Sequence, residues 1–347
     1  MRKFVNAIII LLLSISLFPG EINLKLVKTI GDERENYTFF NIYSAVESDT
    51  GDFFIADGRG HFIAKYDRQG NFKKKIGQKG QGPGDFYYPG SLNIYNKKLF
   101  VYDTMNYRIV EMDMNLNFLA ISKPKFNMER RFNDNFFIID DNRFLGDLSF
   151  LKNVVGNVSI IDRSGSKAQV IFDGFPVESR KKFSGINITK SYVLSMGLSR
   201  KSIAVDRENK RVLISFKRPD NPIEFFVYDF DGKLKMKFSH SLEKKYKFPY
   251  YTLYSQKEPN HSYEFGIGSV FIYKKNYIAA LVQFERKKTK SSKQVDTLLV
   301  FSENGKLRHQ EIFNESYRFF YISKKGHLLG KNFDADIEQL YVFRLGI

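Results

Sequence analysis

The sequence predicts an all-β protein, a six-bladed β-propeller of four-stranded blades, on three observations. The 347 residues include 35 Phe and 20 Tyr but no Trp and no Cys, and aromatic residues favour the pleated, half-buried surface of strands. No long helical stripe recurs after the first twenty residues. A strand–turn–strand pattern repeats along the chain in units of about 40 to 70 residues, and such a repeat predicts the blades of a propeller.

The first twenty residues are predicted to be a signal peptide. Arg2 and Lys3 form a positive start ahead of the apolar stretch Phe4–Phe18. This stretch is shorter than the ~20 apolar residues that a bilayer-spanning helix needs, so an export signal fits better. We therefore expect residues 21–347 to form a single exported domain, periplasmic or extracellular, without a stable membrane span after cleavage. An uncleaved membrane anchor is the alternative.

Composition limits the chemistry of the chain. The absence of Cys removes disulfides, thiolate metal sites and lipid attachment through an N-terminal Cys. The net charge of +17 favours polyanionic partners. For an exported protein these are anionic glycans, lipid headgroups or cell-wall polymers rather than nucleic acid. Alternatively, a biased base composition of the gene, and not selection for binding, accounts for the abundance of Lys and Asn.

Each repeat reads strand, tight turn, strand, with Asp, Asn or Ser and usually Gly at the turn, where positive φ angles are needed. A second strand pair precedes each copy, which gives four strands per unit. Five full copies and a last partial one are present: Ala64–Gly77, Val110–Ser122, Ser159–Phe172, Phe226–His240, Leu299–Phe313 and Leu340–Ile347.

The two ends of the chain predict how the ring closes. The last unit stops after its third strand, Leu340–Leu345, while "NLKLVKTIG" (Asn23–Gly31) resembles the fourth-strand sequence "NFKKKIG" (Asn71–Gly77). We expect the N-terminal strand to complete the last blade, because closure removes an unpaired sheet edge. We also expect a monomer.

The stretch Ile76–Asp113 resembles an NHL repeat, which has a Gly-rich lead with Pro-Gly and Phe, then a strand ending in Asp, then Asn-x-Arg-Ile. The matching residues are Gly80, Gly82, Pro83, Gly84, Phe86, Pro89, Asp103, Asn106, Arg108 and Ile109. The chain as a whole resembles exported bacterial six-bladed propellers of this type. Arg108 has two interpretations: it pairs with Asp103 or Glu111 in the fold, or it contacts a ligand.

In four-stranded blades the links between blades and the loops between second and third strands share one face. The long segments Asp147–Asn157, Asp173–Ser199, Ser239–Glu264 and Glu285–Asp296 all fall on this face, and long loops are often functional. Cationic and aromatic side chains there suit a sugar that carries negative charge. The candidate ligand residues, besides Arg108, are Arg180, Lys181, Lys182, Lys244, Lys245, Tyr246 and Tyr250. They predict a binding module for an anionic glycan or cell-envelope polymer.

Two alternatives stay open. Six-bladed propellers include calcium-dependent lactonases and lyases, which bring several carboxylates together in the central channel. Acids at the ends of second strands, Asp57, Asp103, Asp147 and Asp334, are the candidates for such a Ca²⁺ site; no other cofactor is predicted. No zinc-type His pair, nucleophile elbow or phosphate loop occurs. The second alternative is a scaffold that binds a cell-envelope protein partner.

Overall fold

The computed structural model describes residues 23–31, 39–123, 130–150, 154–173, 202–217, 222–241, 261–287, 294–313, 317–333 and 335–346. These ranges contain 24 strands in six antiparallel four-stranded sheets. The prediction of an all-β, six-bladed propeller is confirmed. Residues 1–20, the predicted signal peptide, lie outside the described residues. In the ranges given above, no helix is long and apolar enough to cross a membrane.

In blades 1 to 5 the strands run from the channel to the rim in chain order, and in blade 6 the N-terminal strand takes the rim position. Blade 1 comprises β2 (Ile42–Glu47), β3 (Phe53–Asp57), β4 (Phe62–Tyr66) and β5 (Phe72–Ile76). Blade 2 comprises β6 (Pro89–Tyr95), β7 (Lys98–Asp103), β8 (Arg108–Asp113) and β9 (Phe118–Ser122). Blade 3 comprises β10 (Arg130–Ile138), β11 (Arg143–Phe150), β12 (Val154–Asp162) and β13 (Ala168–Asp173).

The second half of the ring repeats this order. Blade 4 comprises β14 (Ser202–Asp206), β15 (Arg211–Lys217), β16 (Ile223–Asp229) and β17 (Leu234–His240). Blade 5 comprises β18 (His261–Tyr273), β19 (Asn276–Lys287), β20 (Gln294–Ser302) and β21 (Leu307–Phe313). Blade 6 comprises β22 (Tyr317–Ile322), β23 (His327–Asn332), β24 (Leu340–Gly346) and the N-terminal strand β1 (Asn23–Ile30).

The N-terminal strand closes the ring as predicted. β1 pairs antiparallel with β24, from Asn23 opposite Gly346 to Ile30 opposite Leu340. β1 therefore covers the outer edge of β24, with one register shift between Leu26 and Lys28. The first and last described strands therefore lie in the same blade.

The core lies between blades rather than at the centre of the ring. β3 buries all five of its residues, because a middle strand is covered on both faces by neighbouring blades. Phe54 of blade 1 packs in one cluster with Leu92 and Val101 of blade 2. The rim strand β5 instead reads Phe-Lys-Lys-Lys-Ile and leaves most of these residues partly or fully exposed. Burial thus falls from the middle of each blade to its rim.

The two faces of the ring differ in their connections. We call upper the face with the links between blades and the second-to-third loops, and lower the face with the first-to-second and third-to-fourth turns. The lower turns are tight: Gly70, Gly232 and Gly305 each adopt a positive φ between 78° and 93°. In blade 2 the equivalent position is a buried Leu116, which takes a φ of 60°.

The inner strands that line the channel are irregular. In β2, β6, β10, β18 and β22 the pairing with the second strand shifts register, whereas β14 and β15 pair regularly over their described length. Such bulges re-aim side chains and are common beside functional sites. The bulges therefore indicate that the channel is a candidate functional site.

Candidate functional site

The central channel contains a cavity with a volume of about 210 Å³. Inner-strand residues of all six blades line it. Two lining residues are charged, Arg207 and Arg318; no Asp, Glu, Lys or His is among the described residues of the lining. The cavity is therefore electropositive and, within the described part of the chain, has no carboxylate to neutralise it.

Arg318 lies near the upper end of the channel, because it is the second residue of β22 and inner strands begin at the upper face. Its guanidinium carbon lies 4.9 Å from the centre of the Tyr43 ring and 5.6 Å from that of Phe320. Tyr43 in turn meets Tyr88 edge to face, with 5.2 Å between the ring centres. Among the residues that the structure describes, the Arg318 guanidinium has no hydrogen bond and no ion pair. Its donors are available to a ligand.

Arg207 lies at the lower end, immediately after β14, and reaches across the channel floor to two other blades. Its Nε donates to the Ile138 carbonyl at 2.6 Å, and its Nη2 donates to Asn93 Oδ1 at 3.0 Å. A longer contact of 3.5 Å joins Nη1 to the Ile94 carbonyl. Burial lowers the pKa of Arg207, although a guanidinium stays charged in proteins.

Tyr321 lies beside Arg207 at the lower end of the cavity. Burial raises the pKa of the Tyr321 phenol to about 12, so the hydroxyl is neutral at physiological pH. The hydroxyl lies 3.5 Å from the Glu47 carbonyl, a long contact that leaves it weakly held. A neutral hydroxyl beside a guanidinium can donate to a bound anion.

Small polar side chains connect neighbouring blades around the channel. Ser44 accepts a hydrogen bond from the Leu92 amide of the next blade at 3.2 Å. Ser91 donates to the Phe136 carbonyl at 2.9 Å, and Asn93 donates to the same oxygen at 2.9 Å. These bonds compensate for strand pairing that the bulges interrupt, and they hold the channel wall in a fixed shape.

Arg108 does not line the cavity. Its side chain is buried, and Nε donates to Asp103 Oδ2 at 3.2 Å. Its terminal nitrogens donate to the backbone carbonyls of Gly82 and Asp85, at 3.3 and 2.7 Å, and to that of Gln81 at 2.5 Å. Of its two interpretations, the structure places Arg108 in the fold, where it clamps the Gly-rich lead to blade 2.

Asp57 and Asp103 also hold backbone rather than facing the channel. Asp57 accepts hydrogen bonds from the amides of Phe40, Asn41 and Gly60, at 2.6, 3.1 and 2.7 Å. Asp103 accepts from the amides of Tyr87 and Tyr88 and from Asn106 Nδ2. Each carboxylate ties a blade link to its second strand. In the described ranges, no group of three or more His, Asp or Glu is arranged to hold a metal ion.

The other predicted site residues are not placed by the structure. Asp147 belongs to β11, but its side chain lies outside the described residues. The remaining candidates also fall outside them: Asp334, Arg180, Lys181, Lys182, Lys244, Lys245, Tyr246 and Tyr250. Their proposed roles stay predictions.

Comparison with known proteins agrees with the architecture. The DUF5128 family model, described as a 6-bladed beta-propeller, matches residues 34–174. A member of the DUF4221 family from Bacteroides vulgatus is 11% identical, with a TM-score of 0.58 and coverage of 94% of this chain and 99% of that chain. A proposed exported protein from Bacteroides fragilis is 13% identical, with a TM-score of 0.53 and coverage of 94% and 95%.

A calcium-binding protein, regucalcin from Agrobacterium tumefaciens, is similar at 8% identity, with a TM-score of 0.50 and coverage of 91% and 93%. No curated protein matches the sequence. At such identities the similarity to the solved structures shows the fold alone.

Sequence reasoning missed Arg207 and Arg318, since neither belongs to a recognisable motif. A weak signal was present near Arg207: Asp206, Asn209 and Arg211 repeat the spacing of Asp103, Asn106 and Arg108. In this second copy Arg211 Nη2 donates to Asp206 Oδ2 at 2.9 Å, but the motif lies in a lower turn instead of an upper loop. The paired residues again support the fold, while the arginine between them reaches the channel.

Proposed function

We propose that this protein is an exported, non-catalytic binding module that captures the acidic end of an anionic glycan or cell-envelope polymer at the upper mouth of its channel. The observation that carries the proposal is Arg318. This guanidinium stacks on Tyr43 and has no hydrogen bond or ion pair among the described residues.

Contact with the Tyr43 and Phe320 rings restrains the Arg318 side chain before any ligand arrives. A guanidinium offers two parallel N–H donors, which match the two oxygens of a carboxylate or sulfate, and less side-chain entropy is lost when its orientation is already set. The aromatic rings beside it, Tyr43 and Phe320, provide apolar surface against which a sugar ring can pack.

The size of the cavity limits what can enter. Pockets for drug-sized ligands have volumes of ~300–1,000 Å³, whereas this cavity has about 210 Å³. It suits one sugar residue rather than several. The rest of a polymer would then extend over the upper face, where the predicted basic loop residues belong to segments outside the described residues.

The rival metal-dependent hydrolase or lyase has less support. It needs carboxylates that converge in the channel, but the oxygens of Asp57 and Asp103 accept backbone and side-chain donors at the blade links. A protein scaffold remains compatible with the fold, and no specific contact favours it. Export is supported by the apolar start of the sequence and by the proposed export of the Bacteroides fragilis propeller.

Binding of an acidic oligosaccharide tests the proposal. We expect oligogalacturonate to bind the full-length protein in isothermal titration calorimetry, neutral oligogalactose not to bind, and affinity to fall with added salt. Arg318→Met should weaken binding at least tenfold, about 1.4 kcal/mol, because a hydrogen-bonded ion pair is lost. Arg308→Met on the exposed rim strand β21 is the matched control and should leave affinity unchanged.

Two results would contradict this function. One is equal affinity for the neutral and the acidic oligosaccharide. The other is oligogalacturonate binding that Arg318→Met and Arg308→Met affect alike, since it would place the ligand away from the channel mouth.

A further inference from the structure

We propose that the lower end of the channel is a second anion site, built on Arg207, so that the sugar residue in the cavity carries two anionic groups. One group is a carboxylate and the other a phosphate or sulfate. This inference rests on the proposed role of Arg318, because the two arginines bind opposite ends of the same residue.

Arg207 has hydrogen-bonding capacity that the fold does not use. A guanidinium has five N–H donors, and the described contacts of Arg207 are one bond from Nε, one from Nη2 and one long contact from Nη1. All three acceptors are neutral oxygens. Two N–H groups have no acceptor within the described part of the chain. A partly buried cation without a counter-ion carries a desolvation cost, and an anion that enters the cavity would offset this cost.

Glu47, an acid near Tyr321 at the lower end, does not neutralise Arg207. Glu47 is buried, but its carboxylate is bonded to His327 Nδ1 at 2.9 Å and lies 3.4 Å from Lys325 Nζ. Glu47 does not line the cavity either. The floor instead presents the amide side chain of Asn93 and the hydroxyl of Tyr321, both of which are neutral. A bound anion therefore meets no competing carboxylate among the described lining residues.

The two arginines lie at different levels of one cavity. Tyr321, which lies beside Arg207, follows Arg318 by three residues on β22. At about 3.3 Å per residue, the backbone between these two positions spans no more than about 10 Å, and the bulge between Phe319 and Tyr321 interrupts it. A single six-membered sugar ring with charged groups on the two carbons that flank its ring oxygen is short enough to contact both levels. Both arginines line one cavity, so one ligand can contact them together.

Three small probes separate the two sites: glucuronic acid, glucose 1-phosphate and glucuronic acid 1-phosphate. They have one ring with a carboxylate on C5, a phosphate on C1, or both, on the two carbons that flank the ring oxygen. We expect the doubly charged probe to bind the full-length protein at least tenfold more tightly than either single one at equal ionic strength. Arg207→Met should remove this gain and leave glucuronic acid binding unchanged. Arg207→Lys should keep part of it.

The melting temperature of the ligand-free protein distinguishes a role of Arg207 in ligand binding from a role in stabilising the fold. If Arg207 serves the ligand, Arg207→Met should leave the melting temperature unchanged or raise it, because a partly buried charge without a counter-ion is removed. If Arg207→Met does not fold, the comparison of the three probes on wild-type protein and on Arg207→Lys still decides the question.

The outcomes identify which proposal fails. If the doubly charged probe binds no more tightly than glucuronic acid, the second anion site is wrong and the function at Arg318 stands. If glucose 1-phosphate and the doubly charged probe bind through Arg207 while Arg318→Met has no effect, the proposed function is wrong and the lower site stands. If no probe binds, both are wrong.

Discussion

Arg108 in blade 2 and Arg318 in the channel carry the same guanidinium in opposite surroundings. Arg108 is bonded to the Asp103 carboxylate and to three backbone carbonyls of the Gly-rich lead. Arg318 contacts two aromatic rings and, among the described residues, no acceptor. The first region, which we call the blade-2 clamp (Asp103, Asn106 and Arg108), uses its charge within the fold. The channel keeps its charge available.

The difference shows how motif and function are distributed in this chain. The clamp residues match the NHL pattern because a Gly-rich link needs fixed acceptors and donors to order it. Arg207 and Arg318 do not match this pattern, and the binding role that we propose for them does not require a fixed local backbone. In this protein the recognisable residues explain stability, and the unremarkable ones are the candidates for binding.

The largest expected effect is a difference in the free energy of unfolding between two variants that each lose one guanidinium, Arg108→Met and Arg318→Met. Arg108→Met leaves the buried Asp103 carboxylate without its cation and frees three carbonyls, so we expect a loss of about 3–5 kcal/mol in the free energy of unfolding. Arg318→Met should change it by less than about 0.5 kcal/mol. Urea unfolding followed by circular dichroism measures both. Equal destabilisation by the two substitutions would mean that Arg318 stabilises the fold as Arg108 does, and the distinction between the two regions would be wrong.

The fold was predictable because its signals are local and repeated. Turn residues such as Gly70 and Gly232 mark each hairpin, and the likeness between the first strand and a fourth strand predicted the pairing of β1 with β24. The channel was not predictable in this way. Arg207 and Arg318 belong to blades 4 and 6 and share a cavity only because the ring brings all inner strands together.

The acids show a second limit of sequence reasoning. Asp57 ends its strand at a position equivalent to Asp103, and the pattern alone could not distinguish a channel ligand from a residue that caps backbone. Only the positions of the Phe40, Asn41 and Gly60 amides reveal that the Asp57 oxygens are already used. A carboxylate's partners depend on the path of the blade link, which no single motif encodes.

A smaller effect is expected when a blade link loses its acceptor. Asp57→Ala removes the partner of three backbone amides, which should cost about 1–3 kcal/mol in the free energy of unfolding. The loss should be the same with calcium and with chelator, since the carboxylate serves the link. Thermal unfolding of wild-type and Asp57→Ala proteins under both conditions measures this. Calcium stabilisation that only the wild-type protein shows would instead support the metal-dependent alternative.

The smallest effect concerns the lower turns, where aspartates cap hairpins in contact with water. The pKa of Asp113 is lowered by the hydrogen bond from the Asn117 amide, and that of Asp229 is lowered chiefly by the Lys235 side chain. A carboxyl with a lowered native pKa binds fewer protons folded than unfolded. Its stabilising contribution is complete above the unfolded pKa of ~3.9 and is lost as pH falls through the native value.

Asp113→Asn tests this pH dependence without removing the turn, because an amide oxygen can still accept the Asn115 and Asn117 amides. We expect the wild-type protein to lose more stability than the variant between pH 5 and pH 3, by about 1 kcal/mol or less. Urea midpoints across that range measure the difference. Identical slopes for the two proteins would show that the Asp113 charge contributes nothing, and that its turn depends on hydrogen-bond geometry alone.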